Sequence, residues 1–292
     1  MVVCTVLYSL HTCLIRRFKV IYPNTITSDL LVGYQYIISI IILLPFVLHR
    51  LSSIRAAIKR DNISYFIGRC IMIFIATLSW FYALSNVQAV NCIAISCVTP
   101  IFILILAKIS LKETLNKQII FLAIIAFIGA VIVIGPDPYS FNLASLFALF
   151  TAFLWAFNST FTKKYLSPKV NSIAIFFVTA IVLSLIALPY IILKSHIITL
   201  EQIFYLTGVT IIFDIANIIL IWVFSRGKIS LIVPFDFLRV VFTTILSSLM
   251  LDDIISNNAV IGIVIILMSN SLALLYQHKT KKKSSKDSLI RV

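Results

Sequence analysis

An aspartate and an arginine stand three residues apart in Val233-Pro234-Phe235-Asp236-Phe237-Leu238-Arg239, inside a mostly apolar run long enough to cross a membrane as a helix. A charge at the bilayer centre costs about 2.5–3.5 kcal/mol on insertion scales, so two in one span need a reason. On a helix, Asp236, Arg239, Thr243 and Ser247 share one face. Such a stripe belongs against other helices or water, where the two charges either clamp a substrate or pair with each other.

A second stripe, Thr207, Thr210, Asp214 and Asn217, follows helical spacing through another apolar run. Asp214 has no basic neighbour in that run. Such a carboxylate holds a proton, meets a cationic group of a substrate, or ties to Arg239 or to a backbone group across a bundle. Arg69 opens a span, where an arginine either snorkels to the surface or reaches a substrate. Asn158 shares a face with Thr151, Trp155 and Thr162, and suits ligand hydrogen bonds or interhelical packing equally. Gln35 is a weaker case of the same kind. Trp155 lies deep enough in its span to stack on a substrate or a cation, whereas Trp222 and Tyr82 fit the membrane–water interface. His11, His49, His196 and His278 fall near span ends and read as rim residues. No nucleophile motif, phosphate loop or zinc motif occurs, so no catalytic residue, metal ligand or cofactor is expected. The cysteines have no CxxC spacing and read as small packing residues.

The elements that position these groups follow from composition. Of the 292 residues 61% are hydrophobic and 12% charged, and the mean hydropathy is +1.10. A soluble domain is about a quarter charged. The apolar runs are continuous rather than alternating, which excludes a β-barrel and gives an all-α, polytopic membrane protein. Ten transmembrane helices are expected, at about 1–15, 29–48, 63–83, 87–107, 117–135, 140–162, 171–193, 202–224, 229–250 and 258–277. The first is short and is followed by Arg16-Arg17-Phe18-Lys19. Either that helix continues to about Tyr22 with its arginines turned into the bundle, or it starts further upstream. Gly135-Pro136-Asp137-Pro138 forms a turn near the midpoint. The basic tail, 278–292, is expected to be disordered.

The net charge of +14 does not point to nucleic acid, because the charges sort by side. Alternate connections carry Arg50, Arg55, Lys59 and Arg60; Lys108, Lys112 and Lys117; Lys163, Lys164 and Lys169; Arg226 and Lys228; and the lysine-rich tail. The opposite side holds only Arg16, Arg17, Lys19 and Lys194. The positive-inside rule then puts both termini in the cytoplasm. The halves 1–135 and 140–277 echo each other. Pro100 opens a span that leads to Lys112-Glu113, and Pro234 opens one that leads to Asp252-Asp253. Five spans per half insert the second half upside down, the inverted repeat of secondary carriers with a site near the midplane.

At these residues the chain resembles the drug/metabolite transporter superfamily, in its EamA-type branch. Leu78-Ser79-Trp80-Phe81-Tyr82-Ala83-Leu84 is similar to that family's third-helix ending. Pro100-Ile101-Phe102 through Leu111-Lys112-Glu113-Thr114-Leu115 to Gly129 resembles its helix 4–5 signature, and Val233 to Arg239 the opening of its ninth helix. Gln35 departs from the arginine many members carry in the second helix, and Asp252-Asp253 from their glutamate. The resemblance implies two five-helix repeats. It also implies carriage of a small metabolite across the bacterial inner membrane by alternating access, in a cavity lined by helices 3, 4, 6, 8 and 9. A proton is the candidate coupling ion. The chain looks most like the S-adenosylmethionine uptake carriers of intracellular bacteria within that family. A lipid flippase or an embedded membrane enzyme is the alternative.

Overall fold

The computed structural model describes residues 1–22, 28–49, 60–87, 89–135, 143–167, 169–194 and 198–289. These form helices and connecting turns, with no strand among them. In chain order the helices are α1 (Val2–Ile21), α2 (Ser28–Leu48), α3 (Arg60–Asn86), α4 (Ala89–Ser96), α5 (Thr99–Ser110) and α6 (Lys117–Ile134). Then come α7 (Leu143–Phe161), α8 (Ser172–Lys194), α9 (Leu200–Arg226), α10 (Ile229–Ile232), α11 (Leu238–Leu251) and α12 (Asn257–Leu289). Eight helical stretches are long and apolar enough to cross a membrane. In addition, α2 contributes the shorter apolar stretch Gly33–Phe46, and α1 carries Arg16, Arg17 and Lys19. The chain is an all-helical, polytopic membrane protein.

Local chemistry explains the ends. Asn116 caps α6 by accepting from the Gln118 amide at 2.9 Å. Thr199 and Gln202 make a reciprocal capping box on α9. Gly135 closes α6 with a φ of 57°, a left-handed conformation that glycine adopts freely. The rest of the expected midpoint turn, 136–138, lies outside the described residues.

Two expected spans are broken. The fourth is split at Cys97-Val98, and Pro100 sits in the first turn of α5, where its missing N–H costs nothing. The ninth changes from α10 to a 3-10 segment, Val233–Phe237, and only then to α11. Pro234 removes an amide donor there and favours the tighter turn. The sixth span continues α7 through a π turn, Thr162–Leu166. The first helix runs to Ile21, yet Arg16 and Arg17 face outward, not into the bundle. The tail expected to be disordered is helical to Leu289. No glycine or proline interrupts 279–289, and a helix already nucleated in the membrane extends at little cost.

The packing has a pattern. α1 packs on α9 and α11, and α7 packs on α3 and α5. α2 lies along α8, and α6 along α12. Pro45 of α2 and Pro189 of α8 stand equally far from the first residues of their helices. α6 and α12 cross at Gly129 and Gly262, where backbones touch with no side chain between them. The largest apolar cluster, with Leu104, Ala107, Ala126, Phe237 and Ile266, joins α5, α6 and α12 to the 3-10 segment.

Candidate functional site

The polar side chains gather between α1, α2, α3, α7, α8, α9 and the broken ninth span. Arg69 of α3 does not snorkel. It is 7% exposed, and its Nε donates to Thr179 Oγ1 of α8 at 3.1 Å. Its Nη1 donates to Asn158 Oδ1 of α7 at 3.0 Å and to Thr162 Oγ1. These three side chains take three of the five N–H donors of the buried guanidinium, that of Nε and both of Nη1. Asn158 thereby accepts from Arg69 and links α7 to α3.

Asp214 is 2% exposed. Its Oδ1 accepts the Ser39 hydroxyl of α2 at 2.6 Å. Its Oδ2 and Thr210 Oγ1, one turn earlier on α9, are buried with no hydrogen-bond partner among the described residues. Most helical threonines here bond back to their own helix, as Thr207 does to Ile203 O at 2.7 Å and Thr179 to Ile175 O at 2.7 Å; Thr210 does not. Asn217 spends its amide on Phe213 O at 2.9 Å. Gln35 Nε2 lies 2.8 Å from His11 Nε2, and the His11 ring lies 4.9 Å from that of Phe213. His11 is half-buried and faces Gln35 and Phe213 from mid-helix, not from a rim, because α1 continues to Ile21. Tyr8, Tyr36 and Phe176 also pack their rings around Phe213.

Of the two expected roles of Asp236 and Arg239, mutual pairing is not seen: they form no ion pair within 4.0 Å among the described residues. The Arg239 guanidinium instead lies over the Tyr8 ring, 4.9 Å from its centroid. Ser9 donates to Arg239 O at 2.9 Å, and Thr243 donates to Ser9 Oγ at 3.0 Å. Tyr8 is within electrostatic range of Asp236, Arg239 and Tyr36, and Tyr36 is within range of Arg69 and Asp214.

Seven of the eight residues singled out in the sequence therefore fall in this region. Trp155, 40% exposed, takes no part in the Arg69 network. Sequence reasoning missed Tyr8, Ser9, Tyr36, Ser39 and Thr179. Ser39 was readable as one helical turn from Gln35; the tyrosines had no signal apart from their type. Among the described residues no cluster of His, Cys, Asp and Glu suits a metal ion. An apolar groove of about 350 Å³ runs between α3 and α8, lined by Phe66, Cys70, Phe74 and Val182 among others, with no polar side chain. It is separate chemistry from the polar centre.

The arrangement fits known carriers. The S-adenosylmethionine uptake transporter of Rickettsia prowazekii (strain Madrid E) is 26% identical over 292 residues, covering 98% of this chain and 96% of its own. The protein of the same name from Rickettsia bellii (strain RML369-C) is 27% identical over 251 residues, 84% of this chain and 83% of its own. A riboflavin transporter of Brucella anthropi is 28% identical over 138 residues, 47% of this chain and 48% of its own. A solved crystal structure superposes with a TM-score of 0.79 at 17% identity, over 94% of this chain and 95% of that one, a likeness of fold. The relatives are transporters, not enzymes. The family model for EamA-like transporters matches residues 1–135 and again 142–275, so this small-metabolite transporter belongs to the EamA-like transporter family.

Proposed function

We propose that the protein takes up a cationic small metabolite, S-adenosylmethionine being the best candidate, across the bacterial inner membrane by alternating access. The observation that carries this is the buried Asp214, whose Oδ2 has no partner among the described residues while Asp236 and the Tyr8 ring lie in the same polar centre. An unfilled carboxylate oxygen at membrane depth calls for a proton or a cation. S-adenosylmethionine carries a sulfonium, an amine, a carboxylate and an adenine. Carboxylates, the Arg239 guanidinium and the rings around Phe213 match those groups in kind. A neutral flavin ring has no use for two carboxylates, which disfavours the riboflavin reading.

In this reading α1 and α2 also cross the membrane. The helices then form two inverted five-helix repeats, 1–135 and 140–277, with 278–292 as a basic tail and both termini in the cytoplasm. The packing supports it. Exchanging the first five spans with the second five carries α1 on α9 into α7 on α3, and α1 on α11 into α7 on α5. The same exchange returns α2 on α8 and α6 on α12 to themselves. Asp214, with Ser39, is the place for a coupling proton. The apolar groove on α3 offers no polar group to a lipid headgroup, so it lends nothing to a flippase.

Uptake of radiolabelled S-adenosylmethionine by cells expressing the chain is the test, with labelled riboflavin beside it. Accumulation of the first, competed by excess unlabelled compound and abolished in Asp214→Asn of normal membrane level, is expected. Uptake unchanged in Asp214→Asn removes its role, and no uptake above empty cells removes the substrate. Orientation is read by cysteine labelling. Ile254, 96% exposed, should label from outside as Ile254→Cys, and Lys164→Cys only after permeabilisation.

A further inference from the structure

We propose that two ion pairs outside the polar centre, Glu113–Lys163 and Arg16–Asp253, are the latches of the carrier's two mouths. The proposal rests on the alternating-access reading above. Lys163 Nζ lies 2.7 Å from Glu113 Oε1. Arg16 Nη1 lies 2.7 Å from Asp253 Oδ2, with Nη2 3.5 Å from Oδ1.

The two pairs are built alike. Each acid follows a residue in the left-handed region, Lys112 at φ 52° and Asp252 at φ 56°. These are the two non-glycine residues with positive φ among those described. Lysine takes that conformation at a cost and aspartate more readily, and in both places the left-handed residue turns the chain back at the acid. Each acid ends a span that is interrupted near a proline, Pro100 in one and Pro234 in the other. Each reaches the C-terminal end of the first helix of the opposite half: Glu113 the π turn that follows α7, and Asp253 the last turns of α1. Both pairs therefore tie one half of the molecule to the other.

They also sit at opposite ends. Glu113 Oε1 accepts the Ile229 amide at 3.0 Å, at the start of α10. Asp253 lies just past Leu251, where α11 ends. A helical stretch from 229 to 251 spans about 30 Å, the thickness of a bilayer core. When the halves rock about a central site, one mouth opens as the other closes. Both ties are made in this structure, which therefore has both mouths latched, and each tie must break when its own mouth opens.

The latches are unequal. The side chains of Lys163 and Glu113 are 17% and 9% exposed, and those of Arg16 and Asp253 are 52% and 39% exposed. Lys163 also donates to Gly227 O, which draws the connection between α9 and α10 into the first knot. Shielded charges that lose one partner lose more than solvated ones do.

The test reads accessibility and needs no substrate. Thr243→Cys, in a chain whose own five cysteines are replaced, reports from the centre. Membrane vesicles of both orientations are treated with an impermeant methanethiosulfonate. Glu113→Gln should speed labelling from the Lys163 side by about tenfold and slow it from the other, while Asp253→Asn should do the reverse by about threefold. The charge-reversed pair Arg16→Asp with Asp253→Arg should restore the parent pattern at its mouth, and Glu113→Gln should keep the parent's folded yield by size-exclusion chromatography, which separates a latch from a folding defect. Shifts in the same direction for both single variants, or no shift in either, would overturn the proposal. Equal, simultaneous access from both sides in the parent would instead remove the carrier reading itself.

Discussion

The carbonyl oxygen of Gly262 occupies the space a β-carbon on Gly129 would need, and the carbonyl of Gly129 does the same at Gly262. An added carbon would lie 2.9 Å from the first and 2.5 Å from the second. Gly262→Ala would also meet the Val133 amide nitrogen at 2.9 Å, backbone that cannot step aside. The expected cost is about 1–3 kcal/mol, as for other overpacked sites. Thermal melting in detergent measures it, with Gly208→Ala, where nothing lies within 4 Å, as the control. Equal melting of the two variants would mean that α6 and α12 are not held backbone to backbone.

Tyr8 is expected to work through its ring, not its hydroxyl. Tyr8→Phe keeps the face on which Arg239 lies, and should retain the parent's melting temperature and uptake. Tyr8→Leu removes that face and should cost about 0.5–1 kcal/mol, the range for a cation over a ring at an exposed site, Arg239 being exposed. Identical losses in both variants would assign the effect to the hydroxyl.

Arg69→Lys should behave as a disruptive change. An ammonium cannot reach Thr179, Asn158 and Thr162 from one plane as the guanidinium does. Each buried oxygen left without a donor costs about 1–3 kcal/mol. The readout is the yield of folded protein by size-exclusion chromatography and its melting temperature. A lysine variant as stable as the parent would show that the three contacts to α7 and α8 matter little.

Asp253 lies outside the spans, and its hydrogen bond from Arg16 holds the carboxyl below the usual carboxylate range. A carboxyl depressed in the folded state contributes fully above its unfolded value of about 3.9 and is lost only as pH falls through the lowered one. The ratio of Thr243→Cys labelling rates in the parent and in Asp253→Asn, from which the thiolate fraction cancels, should therefore be flat from about pH 5 to 8. Convergence of the two on approaching pH 5 would show that Arg16 does not hold Asp253 ionised.

The sequence disclosed the polar centre better than its wiring. Asp214 and Arg69 stand out because a titratable side chain in an apolar run is costly wherever it ends up. Their partners, Ser39 and Thr179, are ordinary residues of membrane helices and gain meaning only once α2 and α8 are placed. The spacing of Asp236 and Arg239 allows a clamp or a pair alike, and the neighbour Arg239 meets is the Tyr8 ring on another helix, which no local pattern marks. His11, expected near a span end, stands mid-helix because α1 takes the longer of its two expected courses, with Arg16 bound to Asp253. The echo of Pro100 and Pro234 was visible in the sequence. The matching ties of Glu113 and Asp253 across halves were not, because they join residues far apart in the chain.

The unequal shielding of the two ion pairs has a kinetic signature. If the shielded Glu113–Lys163 knot keeps its mouth shut for most of the time, binding sites are presented mainly to the opposite face. A ligand's apparent affinity on each face scales with the fraction of molecules presenting a site there. Half-saturation should then come at lower concentration from the Arg16 face than from the Lys163 face. Microscopic reversibility keeps Vmax/KM equal in the two directions as long as no second gradient is spent, so the weaker-binding face must have the faster maximal flux. Such a molecule is a scavenger: it saturates early on scarce solute from one side and releases into a well-stocked interior without being clogged by it.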